Sequence, residues 1–226
     1  MPSLLARGAA VVVLCVVSLY GCATAQGSQA AASSSNAATP AAIARARTDS
    51  ARRPYTSADI HFMSGMIGHH AQALAMSAMA ATHDAGPAVR TLADRIINGQ
   101  RDEIVTMQTW LRDRQLPVPM PDPRGGPMKM SMHGMEHEML MPGMLSAEQM
   151  RQLDAARGAE FDRLFLVFMI QHHRGAVSMV KELFDSYGAA QDDTVFKVAS
   201  DANVDQTTEI ARMERMLAAL TLEGRR

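Results

Sequence analysis

The sequence predicts an all-α fold, a four-helix bundle made of two repeated helical hairpins. The first observation is an internal repeat, in which Met-Ile-Gly-His-His at 66–70 returns 103 residues later as Met-Ile-Gln-His-His at 169–173. The second is that Gln-x-x-Glu-Ile-x-x-Met at 100–107 returns at 206–213. The third is that apolar residues recur at spacings of three and four, as they do in amphipathic helices. Because internal repeats fix an architecture, each copy is predicted to form one hairpin of two helices.

The first repeat has clear signals for the ends of its two helices. Thr56 and Asp59 have the spacing of a capping box, so the first helix is predicted to begin there and to extend to about His83. Pro87 is well placed as the first residue of the second helix, because a proline at that position loses no helical hydrogen bond. This second helix is predicted to end before Pro117.

The second repeat begins with another capping box, whose N-cap is Ser146. Gly158 is predicted to bend the third helix or to separate a short lead helix from the main one. The main helix is expected over about 159–187, with Gly188 as its C-terminal stop. A fourth helix follows at about 193–222, and no segment of either repeat has the pattern of a strand.

The whole chain of 226 residues is predicted to have three parts. A lipoprotein-type signal peptide is followed by a tether of small polar residues that cannot bury enough apolar surface to fold, and then by one helical domain. The predicted boundaries are 1–21 for the signal peptide, 22–53 for the flexible Ala/Ser-rich tether and 54–222 for the four-helix domain, with repeat one at 55–116, the Met-rich crossover at 117–145 and repeat two at 146–222.

The first residues of the chain have the pattern of an export signal. Arg7 precedes a run of twelve apolar residues at 9–20, which is long enough for a signal-peptide core and too short for a stable membrane anchor. Leu19-Tyr20-Gly21-Cys22 is typical of a bacterial lipobox, so Cys22 is predicted to be lipid-modified and to attach the protein to a membrane outside the cytoplasm. The alternative is a secreted protein that is cleaved near residues 23–25.

Composition narrows the chemistry that is available. With Cys15 lost in the signal peptide and Cys22 acylated, no free thiol or disulfide remains, so a soft metal would have to bind to Met and His. The chain has 22 Lys and Arg against 23 Asp and Glu, which argues against nucleic acid as a partner. Methionine is abundant, with 19 residues.

The repeated His-His pairs are the first candidate metal site. In a helix the two histidines of each pair lie on either side of an inward-facing line, and Gln100, Glu103, Gln206 and Glu209 are predicted to be their partners on the other helices. Two interpretations remain open, a hydrogen-bonded polar layer in the core or a set of metal ligands. A di-iron centre is disfavoured because Glu-x-x-His does not occur. The candidate ligands are His69, His70, Met66 and Met76 in the first copy, and His172, His173, Met169 and Met179 in the second.

The crossover contains the second candidate site. Residues 128–144 hold seven methionines and two histidines in 17 residues, with no helical stripe that would explain them as core. Thioethers and imidazoles are soft or intermediate ligands, which favour Cu(I) over Mg²⁺ or Ca²⁺. The alternative is a Met-rich loop that binds an apolar partner. The candidate ligands are Met128, Met130, Met132, His133, Met135, His137, Met139, Met141 and Met144.

The two blocks at 62–76 and 161–179 resemble the signature of the domain of unknown function family 305. They are Phe-x3-Met-Ile-x-His-His-x2-Ala-x2-Met and Phe-Asp-x2-Phe-x3-Met-Ile-x-His-His-Arg-Gly-Ala-x2-Met. The resemblance covers about residues 55–220 and implies a ferritin-like four-helix bundle. Some members are extracytoplasmic, methionine-rich copper-binding proteins, so the resemblance also implies a copper role. The first copy departs from the signature at Gly68 and has Gln72 where the second copy has Gly175.

These observations predict a non-enzymatic, lipid-anchored protein that binds Cu(I) for sequestration, tolerance or handover to a copper-handling partner protein. One alternative is a metal-free structural or stress-related interaction module. Another is a metal-dependent oxidoreductase, which is disfavoured because the densest group of ligands lies on a loop, whereas redox turnover needs a fixed site with an open position.

Overall fold

The computed structural model describes residues 39–51, 54–120, 122, 126, 128–132 and 135–223, and the all-α prediction is confirmed. The predicted signal peptide, Cys22 and His133 lie outside the described residues. The six helices are α1 (Pro40–Ala51), α2 (Ser57–Met79), α3 (Pro87–Asp113), α4 (Ala147–Ala155), α5 (Gly158–Asp185) and α6 (Asp193–Glu223). The two strands are β1 (Met128–Met132) and β2 (Met135–Met139).

Both predicted capping boxes are present. Thr56 Oγ1 accepts a hydrogen bond from the backbone N–H of Asp59, whose carboxylate accepts one from the Thr56 N–H in return. Ser146 and Gln149 make the same exchange at the start of α4. Gly158 has a φ of 56°, and it separates the lead helix α4 from the main helix α5. A left-handed residue at this point is best supplied by glycine, which has no Cβ.

Two segments differ from their predicted form. Residues 40–51 fall within the predicted flexible tether, yet they form α1, whose N-cap Thr39 accepts a hydrogen bond from the N–H of Ala42. Alanine and arginine have high helix propensity, so this helix forms although its described side chains are exposed. The Met-rich crossover was predicted to be an irregular loop, and part of it is the antiparallel hairpin of β1 and β2.

Two hydrophobic clusters lie on opposite sides of the repeated histidines. One cluster joins Met66 of α2 to Met179 of α5, and the other joins Met76 of α2 to Met169 of α5. Each cluster therefore contains the N-terminal half of one of these helices and the C-terminal half of the other. It follows that α2 and α5 are antiparallel. Burial of each large apolar side chain contributes about 2 kcal/mol to folding. The histidine layer lies between these two clusters.

A pair of aspartates ties the two hairpins together. Asp59 Oδ1 of α2 accepts a hydrogen bond of 2.7 Å from the N–H of Ala190, in the turn between α5 and α6. Asp162 of α5 accepts bonds of 3.1 Å from the N–H of Gly86, in the turn between α2 and α3. Burial raises the pKa of Asp162, and the bond from Gly86 opposes that shift. An aspartate of each repeat thus accepts hydrogen bonds from the turn between the two helices of the other repeat. None of the described helices is long and apolar enough to span a membrane.

Candidate functional site

The four repeated histidines form one fully buried layer between α2 and α5. The rings of His69 and His172, one from each helix, are in contact, with their centroids 3.8 Å apart. We call these two the inner histidines. The rings of neighbouring residues are further apart, at 6.5 Å for His69 and His70 and 6.2 Å for His172 and His173. His70 and His173 are the outer histidines, which face α3 and α6 respectively.

Each outer histidine is bound to a glutamate. His70 Nε2 lies 2.6 Å from Glu103 Oε2, and His173 Nε2 lies 2.7 Å from Glu209 Oε2. An ionised carboxylate can only accept a hydrogen bond, so Nε2 carries the proton in both rings. The glutamates of α3 and α6 therefore act as the partners that the sequence predicts. Gln100 and Gln206 do not, because neither is hydrogen-bonded to a histidine.

The inner histidines have different surroundings. His69 Nε2 lies 3.0 Å from the carbonyl oxygen of Pro142 and donates to it, whereas neither ring nitrogen of His172 makes a hydrogen bond of ordinary geometry. Burial, and then the neighbouring ring of His70, lowers the pKa of His69 to about 3. Burial and then His69 likewise lower the pKa of His172 well below its usual value, with weak opposition from the backbone of His69. Both inner rings are therefore neutral at pH 7.

The Nδ1 atoms of the layer are buried and have no hydrogen-bond partner in the protein. This is so for all four histidines. In the three rings whose Nε2 faces an oxygen, the proton lies on Nε2, so Nδ1 holds a free lone pair. Buried polar atoms normally have a partner, and an unshared nitrogen lone pair is the donor that a metal ion needs. In the part of the chain that the structure describes, no three His, Cys, Asp or Glu side chains are grouped to hold a metal.

The predicted methionine ligands fall into two groups. Met66, Met76, Met169 and Met179 are buried in the hydrophobic clusters beside the histidine layer. Met141 and Met144 are also buried, and the N–H of Met141 lies 3.4 Å from Met144 Sδ. The register of the hairpin pairs Met128 with Met139, Met130 with His137 and Met132 with Met135.

The structure brings together two thioethers that are distant in sequence. A Cβ added to Gly65 would lie 2.3 Å from the methyl carbon and 3.4 Å from the sulfur of Met141, and 3.4 Å from the methyl carbon of Met179. Both side chains therefore contact the bare backbone of Gly65. They line a cavity of about 380 Å³ together with His61 and Phe62. Sequence reasoning missed His61, whose only signal was its position one helical turn before Gly65.

Residues 141–145 form a turn that packs across the histidine layer, which we call the docked turn. A Cβ added to Gly175 of α5 would lie 1.9 Å from the Pro142 carbonyl oxygen, so only glycine allows this approach. On the opposite side, Gln72 of α2 binds the backbone of Leu145 twice, donating from Nε2 at 3.1 Å and accepting at Oε1 at 2.6 Å. Gln171 Nε2 also donates to the carbonyl oxygen of Gly143. The docked turn thereby places the Pro142 carbonyl against His69.

The sequence matches the profile of a family described as domain of unknown function DUF305 over residues 59–217. A DUF305 structure from Streptomyces coelicolor, described as a secreted protein, is 28% identical, with a TM-score of 0.60 over 73% of this chain and 94% of that one. A DUF305 fragment from Deinococcus radiodurans is also 28% identical, with a TM-score of 0.58 over 74% and 99%. No curated protein matches the sequence.

A third similar structure is a protein named CopM. Its Cu(II)-bound form is 28% identical to this chain, with a TM-score of 0.54 over 71% of this chain and 96% of that one. Its Cu(I)-bound form is 27% identical, with a TM-score of 0.53 over 74% and 98%. The similarity therefore extends over nearly the whole of a protein that has been crystallised with copper.

Proposed function

The chain belongs to the DUF305 family, and we propose that it is an extracytoplasmic Cu(I)-binding protein that serves in sequestration, tolerance or handover. The observation that carries this proposal is the histidine layer, in which buried imidazoles have Nδ1 atoms without partners. The likeness to the copper-bound forms of CopM supports it. Export is supported by the signal-like sequence at 1–21 and by the secreted relative of known structure.

Each His-His pair has a spacing that suits one Cu(I) ion. A metal bond to an imidazole nitrogen is about 2 Å long, so two rings that bind one ion in line have centroids about 6 Å apart. The observed separations within the pairs are 6.5 Å and 6.2 Å. Cu(I) accepts two nitrogen ligands in a linear arrangement, unlike Zn²⁺, which takes four. We therefore propose that His69 with His70, and His172 with His173, each bind through Nδ1.

The surroundings of the pairs favour metal over protons. A ligating imidazole must be neutral, and the lowered pKa of His69 and of His172 keeps these rings neutral throughout the physiological range. Glu103 and Glu209 fix the Nε2 proton of the outer rings and make their Nδ1 atoms more basic, as carboxylates do behind many metal-bound histidines. Bound Cu(I) would supply the missing partners of the buried nitrogens.

Methionine sulfur offers a route by which copper reaches the layer. The side chains of Met141 and Met179 both pack against Gly65. Together with His61 they line a cavity beside the docked turn. We propose that the Met-rich hairpin captures Cu(I) and that Met141, Met179 and His61 form the next binding position. Neutral thioethers bind Cu(I) without deprotonation and are weak ligands for hard cations, so the route is selective.

We propose binding without enzymatic turnover. Redox turnover needs a metal with an open coordination position that substrate can reach, and the four histidines are fully buried. We further propose that lipid at Cys22 holds the protein at a membrane surface, as the lipobox-like sequence implies. Mass spectrometry of the mature N-terminus tests this point, because an acylated Cys22 and a chain cleaved near residues 23–25 differ in mass.

The copper proposal is tested by anaerobic titration of the full chain with Cu(I) against a chromophoric Cu(I) chelator. His70→Asn together with His173→Asn is expected to remove the two nitrogen-bound ions, and X-ray absorption of the wild type is expected to include two-coordinate nitrogen sites. His83→Asn is the matched control, because His83 is buried but bonds to Asp154 away from the layer. An unchanged copper stoichiometry in the double variant would contradict binding by the pairs.

A metal-free interaction module is the second candidate function. It is favoured by an exposed aromatic group, in which the rings of Phe184 and Phe196 are 5.9 Å apart and Tyr187 lies nearby in sequence, fully exposed. Replacing the methionines at 128–144 by leucine separates the two functions. Leucine keeps the apolar surface but removes sulfur, so an interaction module would keep its activity, whereas a copper-binding protein would lose the Cu(I) captured by this segment.

A further inference from the structure

A cavity lies between α3 and α6, on the side of the bundle where the outer histidines meet their glutamates. Its volume is about 250 Å³, and we call it the α3–α6 chamber. Its polar lining comes from both repeats, with Gln100 and Glu103 from α3 and with Asp205, Gln206 and Glu209 from α6. Gln100 corresponds to Gln206, and Glu103 to Glu209, in the internal repeat. The chamber therefore has two matching walls of amides and carboxylates.

The amide oxygens in these walls have no hydrogen-bond partner in the protein. Gln100 and Gln206 are 5% and 3% exposed, and both Oε1 atoms make no hydrogen bond to any protein group. An unsatisfied buried polar atom is destabilising, and two such oxygens line the same cavity. Amide oxygens are acceptors without charge, and together with carboxylates they are typical ligands of hard cations and of the water bound to them.

The charges around the chamber point to a positive ligand. Three carboxylates line it, from Glu103, Asp205 and Glu209, and Arg95 is the single basic residue among the lining groups that the structure describes. Asp205 is exposed, and partial desolvation, followed by the negative charges of Glu103 and Glu209, raises the pKa of its carboxyl. The carboxylates therefore repel one another, and a cation in the chamber would remove this repulsion.

We propose that the α3–α6 chamber binds a hydrated divalent cation with a preference for oxygen ligands, such as Mg²⁺ or Mn²⁺. A bare ion does not fit the geometry, because no three acidic or histidine side chains in the described part of the chain converge to hold one. A cation that keeps its water shell does fit, since water bridges the remaining distance and Mg²⁺ usually keeps several waters. The chamber has no sulfur ligand, so its chemistry differs from that of the Cu(I) sites.

The chamber touches the copper layer through the glutamates. His70 and His173 each bond to one oxygen, Oε2, of Glu103 and Glu209, and a carboxylate has a second oxygen to offer a hydrated ion. The same two carboxylates thus face the histidine layer on one side and the chamber on the other. Binding of the divalent cation does not require the copper proposal to be correct.

The test is titration of the copper-free full chain with Mn²⁺. The electron paramagnetic resonance signal of free Mn²⁺ measures how much of the ion remains unbound. The wild type is expected to bind Mn²⁺ with a dissociation constant below 1 mM, which Mg²⁺ raises by competition. Asp205→Asn is expected to weaken binding about tenfold, because one of three nearby negative charges is lost. Asp205 is the best position for this substitution because, unlike Glu103 and Glu209, it makes no hydrogen bond to a histidine. Gln206→Leu is expected to weaken binding less, because it removes a neutral ligand.

Glu214→Gln is the matched control. Glu214 lies on α6 like Asp205 and is exposed, where it pairs with Arg174, so the substitution makes the same change in net charge outside the chamber. This variant is expected to bind Mn²⁺ as the wild type does. Equal affinities of Asp205→Asn and Glu214→Gln would overturn the proposal, as would the absence of Mn²⁺ binding in the wild type. Because no copper is present, either result leaves the Cu(I) proposal unaffected.

Discussion

The two repeats agree at the outer histidines and differ at the inner ones. His70 and His173 each bond to a glutamate, at 2.6 Å and 2.7 Å, so this part of the layer is nearly symmetric. Of the inner pair, His69 bonds to the Pro142 carbonyl, whereas His172 has no such partner. The symmetric contacts come from elements that both repeats contain. The asymmetric contact comes from the crossover, which occurs once.

The crossover also accounts for two of the differences between the copies of the repeat. Gly68 of the first copy corresponds to Gln171 of the second, and Gln72 corresponds to Gly175. Gln72 and Gln171 both bond to the backbone of the docked turn, and Gly175 leaves room for it. At these two positions, therefore, the copies diverge where one of them contacts the docked turn. In a duplicated fold, such divergence identifies the surface that a unique segment occupies.

The largest effect is expected from Gly175→Ala. Its Cβ would lie 1.9 Å from the Pro142 carbonyl oxygen, a backbone atom that cannot move unless the whole docked turn moves. We expect the free energy of unfolding to fall by about 3 kcal/mol, measured by urea denaturation. Gly99→Ala is the control, because nothing lies within 4 Å of its added Cβ and it is in helix α3. That variant should be unchanged or more stable by up to about 1 kcal/mol. Equal stability of the two variants would contradict the close packing of the turn.

A second substitution compares the two glutamines that hold the docked turn. Gln72→Ala leaves the N–H and the carbonyl of Leu145 without partners in a buried region, so we expect a loss of about 2–3 kcal/mol in unfolding free energy. Gln171→Ala removes one bond of 3.2 Å from a partly buried side chain and should cost about 1 kcal/mol. Urea denaturation measures both. If Gln171→Ala proves the more damaging, α5 rather than α2 is the main support of the turn.

The fold was predictable because its signals are local or repeated. The capping boxes at Thr56 and Ser146, together with the 103-residue repeat, were sufficient for the four bundle helices. The repeat also identified Glu103 and Glu209 as partners of the histidines, because it placed them at matching positions on the second helix of each hairpin. Such patterns are set by helical periodicity, which the sequence carries directly.

The details of the site were not predictable, because they depend on contacts between distant segments. Nothing in the local sequence places the Pro142 carbonyl against His69, 73 residues away. Met141 belongs to a Met-rich segment, yet it is buried like a core residue because Gly65 and Gly175 admit the docked turn. The strand pairing of residues 128–139 was also missed, since Met, Lys and Glu are not strong strand formers.

The inner histidines make stability depend on pH. The pKa of His69 is about 3 in the folded protein and near its usual 6.5 in the unfolded chain, so below pH 6.5 the unfolded state binds a proton that the folded state does not. Stability therefore rises with pH between 3 and 6.5 and is lost as pH falls through that window. We expect His69 alone to cost about 2 kcal/mol on going from pH 7.5 to pH 5. His172 acts in the same direction.

The measurement is urea denaturation of the copper-free protein at pH 7.5 and at pH 5. His69→Asn combined with His172→Asn removes both inner imidazoles, so this variant should lose less stability over that interval than the wild type. If both proteins lose the same amount, the inner histidines are not the source of the dependence. Comparison with His172→Asn alone shows whether the Pro142 carbonyl, which bonds to His69 only, makes the two inner rings unequal.

The smallest effect is expected from substitutions at the two symmetric histidine–glutamate contacts. These substitutions also test the symmetry of the two repeats most directly. Glu103→Gln and Glu209→Gln keep the shape and an oxygen acceptor but remove the negative charge behind the outer histidines. A carboxylate in this position raises the basicity of a ligating imidazole, so each substitution should weaken Cu(I) binding about tenfold, or about 1.4 kcal/mol. Competition with a Cu(I) chelator measures the change, with Glu214→Gln as the control. Because the two contacts match within 0.1 Å, the two variants should agree, and a loss confined to one repeat would mean that only one His-His pair binds copper.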